Sequence, residues 1–411
     1  MSASRNPVRI VCVVGARPNF MKIAPIMRAF ADPRHGLEAT LVHTGQHYDA
    51  AMKLALFEQL KIPEPDIDLG VGSGSHAVQT ADIMKRFEPV LDEVQPRAVL
   101  VVGDVNSTIA CALVAVKKGI AVIHVEAGLR SGDRAMPEEI NRVLTDQISD
   151  LLYTTERSAE GNLLREGIAA ERIRFAGNVM IDTLRYNLDD AVPAATTIGA
   201  HADAAKAARF LQGFGVLTLH RPSNVDEPEV LRTLLGTLGE IARETPLVFP
   251  LHPRTRQRIQ AAGLGPLIEG PDFICTAPQG YLEMLGLMKQ AKLVLTDSGG
   301  IQEETTALGV PCVTLRENTE RPITAEQGTN TIVGRDPAKI RACVADILRN
   351  GGKAGRIPEY WDGHAAERIA ADIAQWLGTA PVGLASVGPA SAGQCSNEFE
   401  PTDPAPTAAP S

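Results

Sequence analysis

At 411 residues, 44% of them hydrophobic and 22% charged, the chain exceeds the size of most single cores and has the composition of a soluble globular protein with two domains of similar size. A net charge of −9, from 49 acidic against 40 basic residues, argues against a nucleic-acid partner, because phosphate backbones are held by clustered Lys and Arg. Six cysteines without a CxxC pair favour a reducing cytoplasm, and no run is long enough for a signal segment or a membrane span.

Short β-branched runs alternate with amphipathic stretches along the chain. Val8 to Val14 precedes a predicted helix from Pro18, Ala39 to His43 one from Asp49, and Ala98 to Val102 one from Asn106, with Ala121 to Val125 as the next strand. After an intervening stretch the rhythm restarts at Val216 to Leu219, Leu247 to Leu251, Phe273 to Thr276, Leu293 to Thr296 and Cys312 to Leu315. This alternation predicts an α/β protein with doubly wound parallel sheets covered by helices. Asp190 to Lys206, rich in Ala, Thr and Pro, reads as a linker or loosely packed hinge between an N-terminal domain, 1–189, and a C-terminal domain, 207–380. From Pro381 the chain has hardly any large apolar residue, so 381–411 is predicted to be a disordered tail.

In doubly wound sheets ligands sit beyond the carboxyl ends of the strands, which singles out the residues just after each run. In the first half these are Gly15-Ala16-Arg17-Pro18 with Lys22 on the new helix, Thr44-Gly45-Gln46-His47, Gly103-Asp104, and Glu126. In the second half they are His220-Arg221, His252-Pro253-Arg254, Pro278-Gln279, the turn Ser298-Gly299-Gly300, and Arg316 and Arg321. The Ser298 turn runs from an apolar strand straight into a helix, where backbone amides without intrahelical partners and the helix dipole favour a phosphate. Glu303 and Glu304, more than a turn further on, suit ribose hydroxyls. Plainer readings exist for single residues: Asp104 or Glu126 as a cap, Arg17 and Lys22 as solvated cations, His220 as a supporting histidine. Glu138 and Glu139, after Pro137, also suit the first turn of a helix for dipole reasons alone.

Taken in order, the strings GARPNFMKIAP (Gly15 to Pro25), TGQHYD (Thr44 to Asp49), VVGDVNST (Val101 to Thr108) and HVEAGLRSGDRAMPEEINR (His124 to Arg142) resemble the non-hydrolysing UDP-N-acetylglucosamine 2-epimerases. TLHRPSNVD (Thr218 to Asp226), TDSGGIQEE (Thr296 to Glu304) and ENTERPIT (Glu317 to Thr324) complete the resemblance, which covers almost everything before the tail. It implies a GT-B-like fold, two Rossmann-like domains facing across a cleft, with the last helix able to pack back on the N-terminal domain. It also implies a UDP-sugar substrate, a homodimer, and a place in cell-surface polysaccharide synthesis.

The implied reaction inverts carbon 2 of UDP-GlcNAc to give UDP-ManNAc. That carbon-bound hydrogen has no adjacent carbonyl to acidify it, which leaves transient oxidation or elimination of UDP to a glycal. An oxidising enzyme needs a dinucleotide fingerprint after the first strand, and Gly15-Ala16-Arg17-Pro18 is no GxGxxG, so elimination is expected, with no cofactor and no metal. Asp104, Glu126 and Glu138 match the family's catalytic carboxylates, although spacing does not divide base from acid among them. Arg17, Lys22, His220 and Ser298-Gly299-Gly300 would hold the diphosphate. By the same resemblance Gln279 and Met284 border the uracil, Glu304 takes the ribose and Arg321 adds charge near the nucleotide.

Asn19-Phe20 stands where many members carry an acidic residue, Pro222-Ser223 replaces a basic–acidic pair, and Val71 to His76 lacks an Arg-Gln pair that some members use with Gln46 to bind activating substrate. The last departure weighs against substrate activation. Alternatives are a 2-epimerase of a UDP-diacetamido uronic acid, whose extra carboxylate would seek Arg130, Arg134 or Arg316, a glycosyltransferase of the same fold, a hydrolysing epimerase, and a nucleotide-sugar sensor.

Overall fold

The structure, a computed structural model, describes residues 7–45 and 57–378; the side chain of Arg17, Gln46 and His47, the start of the helix predicted from Asp49, and the tail from residue 381 lie outside the described residues. Two parallel sheets organise the chain. The first contains β1 (Val8–Val14), β2 (Leu37–His43), β3 (Ile67–Asp68), β4 (Ala98–Val102), β5 (Ala121–Ala127), β6 (Leu151–Thr154) and β7 (Ile173–Phe175), in the order β3-β2-β1-β4-β5-β6-β7. The second contains β8 (Gly215–Thr218), β9 (Leu247–Pro250), β10 (Phe273–Thr276), β11 (Leu293–Thr296), β12 (Cys312–Thr314) and β13 (Asn330–Ile332), in the order β10-β9-β8-β11-β12-β13.

Both orders reverse direction beside their first strand, so the loops after β1 and β4, and those after β8 and β11, flank a topological switch point. The strand sequences explain the burial. In β1, Ile10, Cys12 and Val14 face one apolar cluster while Val11 and Val13 face another, and β4 divides in the same way, so near-continuous apolar runs cover both faces. The predicted strands from Val8 to Val14, Ala98 to Val102, Phe273 to Thr276 and Leu293 to Thr296 occupy those bounds. Strands β3, β6, β7 and β13 were not predicted; with two to four residues each they show too few positions for a period.

Residues 190–206 correct the expectation of a loose linker. They contain helix Ala194–Gly199 and the start of helix Ala204–Leu211, and Ala194, Ile198 and Phe210 are buried in a cluster of the second lobe. Val192 N donates to Leu282 O at 3.1 Å, and a Cβ on Gly286 would come within 1.7 Å of Val192 O. A six-residue helix buries too few apolar side chains to leave a sequence signature, yet its backbone is docked.

The chain then returns to its first lobe. Helix Ala365–Trp376 packs Ile369 and Ile373 into the cluster that holds Phe20, Ile23 and Ile26. Its first amides, Ala365 N and Ala366 N, donate to Asp182 at 3.1 and 2.7 Å, and the Tyr153 hydroxyl donates to Asp372 at 2.8 Å. The indole N–H of buried Trp361 donates to Thr155 O at 3.1 Å, fastening the crossing segment.

Replacing Gly286 by Ala forces a methyl against Val192 O and should destabilise the protein by about 1–3 kcal/mol, read from the urea midpoint. A variant as stable as the parent contradicts this docking.

Candidate active site

The first lobe supplies a cluster of charge at the carboxyl ends of β1, β4 and β5. Helix Arg17–Phe30 starts directly after β1, and Asn19 in its first turn accepts from Gly15 N and Ala16 N at 3.2 and 3.0 Å while donating to Val102 O at 3.0 Å. Asn19 thereby joins the loops that follow β1 and β4. One turn further along, Lys22 Nζ reaches Glu126 Oε1 at 2.6 Å, both groups being buried.

Glu126 sits where the pairing of β5 with β6 shifts register between Val125 and Ala127, and its φ of +72° is left-handed. A non-glycine residue there costs about 1–3 kcal/mol and persists only where its surroundings compensate. Here the bulge aims the carboxylate at Lys22 and at Arg321 of the second lobe, 3.2 Å away. Gly103 has a φ of +66°, and a Cβ there would approach Lys22 Nζ to 2.8 Å, so glycine keeps the ammonium in place.

Asp104, half-buried, takes Arg142 at 2.5 Å. Burial raises its pKa, but Arg142, Lys22 and Arg321 outweigh that and hold the carboxyl below the usual aspartate range. Arg142 also binds Glu139 at 2.6 Å, and Glu139 accepts from Ser131 N and Gly132 N at 3.0 and 2.9 Å, shaping the loop before helix Pro137–Ile148. Asn141 Nδ2 donates to Asp104 O at 3.0 Å, which ties that helix to the end of β4. Glu138 is half-buried one turn before Arg142 on the same face, and it has no ion-pair partner among the described residues.

The second lobe is arranged around Asp297, the fully buried residue after β11. Its carboxylate accepts from His220 N at 3.0 Å, Arg221 N at 2.9 Å, Asn224 Nδ2 at 3.1 Å and His220 Nδ1 at 2.9 Å. These hydrogen bonds fix the turn after β8 and orient the His220 ring. Ser298 stands at the N-cap position of helix Gly299–Leu308 without a side-chain capping bond, its own amide donating to Thr296 Oγ1 at 3.0 Å, and the first amides of the helix lack intrahelical acceptors. A Cβ on Gly299 would lie 2.6 Å from Glu320 Oε1 and 2.8 Å from Arg321, so glycine admits a charged cluster against the helix start.

That cluster spans the lobes. Buried Arg321 contacts Glu126 at 3.2 Å, Glu303 at 2.9 Å and Glu320 at 2.9 Å. Glu303 also accepts from Asn178 of the first lobe at 2.8 Å, and Glu320 pairs with Arg316 at 2.9 Å. Arg321, expected as charge near the nucleotide, is thus held by three carboxylates. Beside it, a cavity of about 270 Å³ is lined by His220, Gln279, Met284, Ser298 and Glu304, with Pro18 and Met21 from the first lobe. Five of the expected site residues therefore share one wall; Asp104, Glu126 and Glu138 lie outside it, around Lys22 and Arg142.

Sequence reading missed Arg142, Asn19, Asp297, Glu320 and the bridging role of Glu303, which lie within the matched strings but carry structural partners that spacing does not reveal. No group of three or more His, Cys, Asp or Glu suited to a metal ion occurs among the described residues.

A family model described as UDP-N-acetylglucosamine 2-epimerase matches residues 31–374. The chain belongs to this family, which is a family of isomerases. Among relatives in the UDP-N-acetylglucosamine 2-epimerase family, one of that name from Methanococcus maripaludis is 42% identical over 345 residues, covering 83% of this chain and 92% of the relative. A UDP-2,3-diacetamido-2,3-dideoxy-D-glucuronate 2-epimerase from Pseudomonas aeruginosa is 40% identical over 375 residues, covering 90% and 100%. The crystal structure of the Methanocaldococcus jannaschii UDP-GlcNAc 2-epimerase in complex with UDP-GlcNAc and UDP has a TM-score of 0.78 at 40% identity, over 88% of this chain and 98% of that one. These structural relatives share the GT-B-like pairing of parallel-sheet lobes. No helix among the described residues is long and apolar enough to cross a membrane.

Two buried carboxyls near the cleft have opposite effects on stability. Burial raises Glu320, but Arg321, Arg316 and Arg221 outweigh it and draw the carboxyl down to about 2, so its stabilisation is complete above the unfolded value near 4.5 and is lost as pH falls toward 2. Glu156 is pushed up to about 7, chiefly by burial and further by Glu303, against the hydrogen bond from Ser158. It stabilises least above pH 7 and its cost vanishes below about 4.5. Glu156→Gln should raise stability at pH 8, with an upper bound on the order of 3 kcal/mol, and change little at pH 4. Urea unfolding at the two pH values checks this, and equal effects at both contradict it.

Proposed function

We propose that the protein interconverts UDP-GlcNAc and UDP-ManNAc by inverting carbon 2, with UDP eliminated and returned through a bound glycal. The observation that supports this reading best is the meeting of three carboxylates on one lobe with a cationic, amide-rich turn on the other, through the contact of Glu126 with Arg321. An enzyme that removes a carbon-bound proton while a diphosphate departs needs both halves at once.

In the forward step a carboxylate takes the proton from carbon 2. The carbon–hydrogen electron pair forms the double bond between carbons 1 and 2, and the pair of the carbon 1–oxygen bond leaves with UDP. Protonation of carbon 2 from the opposite face, with attack of UDP oxygen on carbon 1, gives the epimer. Asp104, Glu126 and Glu138 supply base and acid. Lys22, Arg17, His220, the Ser298 side chain and the amides at Gly299 and Gly300 receive the diphosphate, and Arg321 adds charge beside it. Gln279, Met284 and Glu304 accommodate the nucleoside in the cavity they line. Enclosure between the lobes keeps glycal and UDP together for re-addition. The product would supply an amino sugar for cell-surface polysaccharide synthesis.

A second reading, epimerisation of a UDP-diacetamido uronic acid, is favoured by the resemblance to the Pseudomonas aeruginosa relative. Incubation of both substrates in deuterium oxide separates the two readings. UDP-GlcNAc is expected to gain deuterium at carbon 2 as UDP-ManNAc accumulates; turnover of the uronate alone would overturn the first choice. Asp104→Asn should lower kcat by about 10²–10⁴-fold with UDP affinity little changed, as measured by single-turnover kinetics and calorimetry. Unaltered kcat would remove Asp104 from the chemistry.

A further inference from the structure

Behind the first lobe, away from the cleft, a second cavity of about 590 Å³ opens between helix Arg17–Phe30, helix Val179–Asn187 and helix Ala365–Trp376. Its size suits a small metabolite. We propose that it binds a small phosphorylated anion, clasped by Arg28 and Arg185.

The charges on its wall are mostly spent on one another. Asp32 pairs with Arg34 at the 3₁₀ turn, and Arg368 is taken by Asp362. Asp182 accepts the amides of Ala365 and Ala366, and Glu367 faces His364 at 3.2 Å. What remains is two guanidinium groups without a carboxylate in salt-bridge contact among the described residues. Arg28 has one long hydrogen bond, to Leu60 O at 3.4 Å, and Arg185 one, to Trp361 O at 3.3 Å.

The Arg28 head and the Arg185 stem are packed against the wall. The Arg28 guanidinium lies over the Tyr186 ring, 3.8 Å from its centroid, and the Arg185 stem passes beside Gly363. That glycine has a φ of +89°, and a Cβ there would come within 2.7 Å of Arg185 Cδ, so its absence makes room for the arginine stem. Burial lowers the pKa of Arg28, opposed by Tyr186 and Asp182, so its guanidinium is a partly desolvated cation. Planar guanidinium forks match the oxygens of a phosphate, and two of them suit a dianion better than a lone carboxylate. The three helices that would share the ligand include the one carrying Lys22 and the one returning the chain from the second lobe, so occupancy would brace the back of the first lobe.

The test is calorimetric titration of pyrophosphate into the full-length enzyme already saturated with UDP, which occupies the nucleotide site. One further site per chain is expected, and Arg28→Gln and Arg185→Gln should each weaken it by at least about tenfold, equivalent to about 1.4 kcal/mol, with UDP affinity unchanged. Arg185 is exposed, so its variant keeps the fold and decides the matter if Arg28→Gln does not. Absence of binding at millimolar pyrophosphate, or binding that both variants leave intact, would overturn the proposal.

Discussion

One guanidinium joins the charged clusters of the two lobes at the cleft. Arg321, buried at the start of a short helix on the second lobe, meets Glu126 of the first lobe and Glu303 and Glu320 of its own. Lys22 shares Glu126, and Arg316 and Arg221 share Glu320, so four cations face three carboxylates in one connected network. Removing one member of such a buried set leaves a charge without compensation, which costs far more than an exposed pair is worth. The network also constrains binding. On the proposed function, a diphosphate entering beside the Ser298 turn would compete with these carboxylates for the same cations, which would couple ligand entry to the contact between the lobes.

The fold brings this about through strand order. Each sheet reverses beside its first strand, and the segments that follow the strands at those two reversals carry Asn19, Lys22 and Asp104 on one lobe and His220, Asp297 and Ser298 on the other. Two devices sharpen the geometry. The bulge at Glu126 turns a strand-end carboxylate sideways toward the partner lobe, and Asp297 gathers four donors so that the turn after β8 presents His220 in a fixed orientation. The return of helix Ala365–Trp376 to the first lobe closes the arrangement, because the chain crosses between lobes a second time and is pinned there by Trp361.

Much of this was legible in the sequence, for identifiable reasons. Runs such as Ala98 to Val102 and Leu293 to Thr296 are apolar on both faces and end in Gly or Asp, so their strand character and the polar residues just after them were plain. His220, Gln279, Met284, Ser298 and Glu304, drawn from separated stretches, line one cavity. What escaped was of two kinds. Short strands such as β7 and β13, and the docked helix Ala194–Gly199, bury too few side chains to impose a period. Pairings such as Arg142 with Asp104, or Glu303 with both Asn178 and Arg321, join residues 38, 125 and 18 positions apart, and only tertiary packing decides them.

The claim on which the account turns is that Glu126 and Arg321 touch across the cleft. A double-mutant cycle with Glu126→Gln and Arg321→Gln, read as unfolding free energy, tests it most directly. The account predicts that the two substitutions are coupled by about 0.5–3 kcal/mol, as for groups in one network. Effects that add within about 0.3 kcal/mol would place the two side chains apart and contradict it.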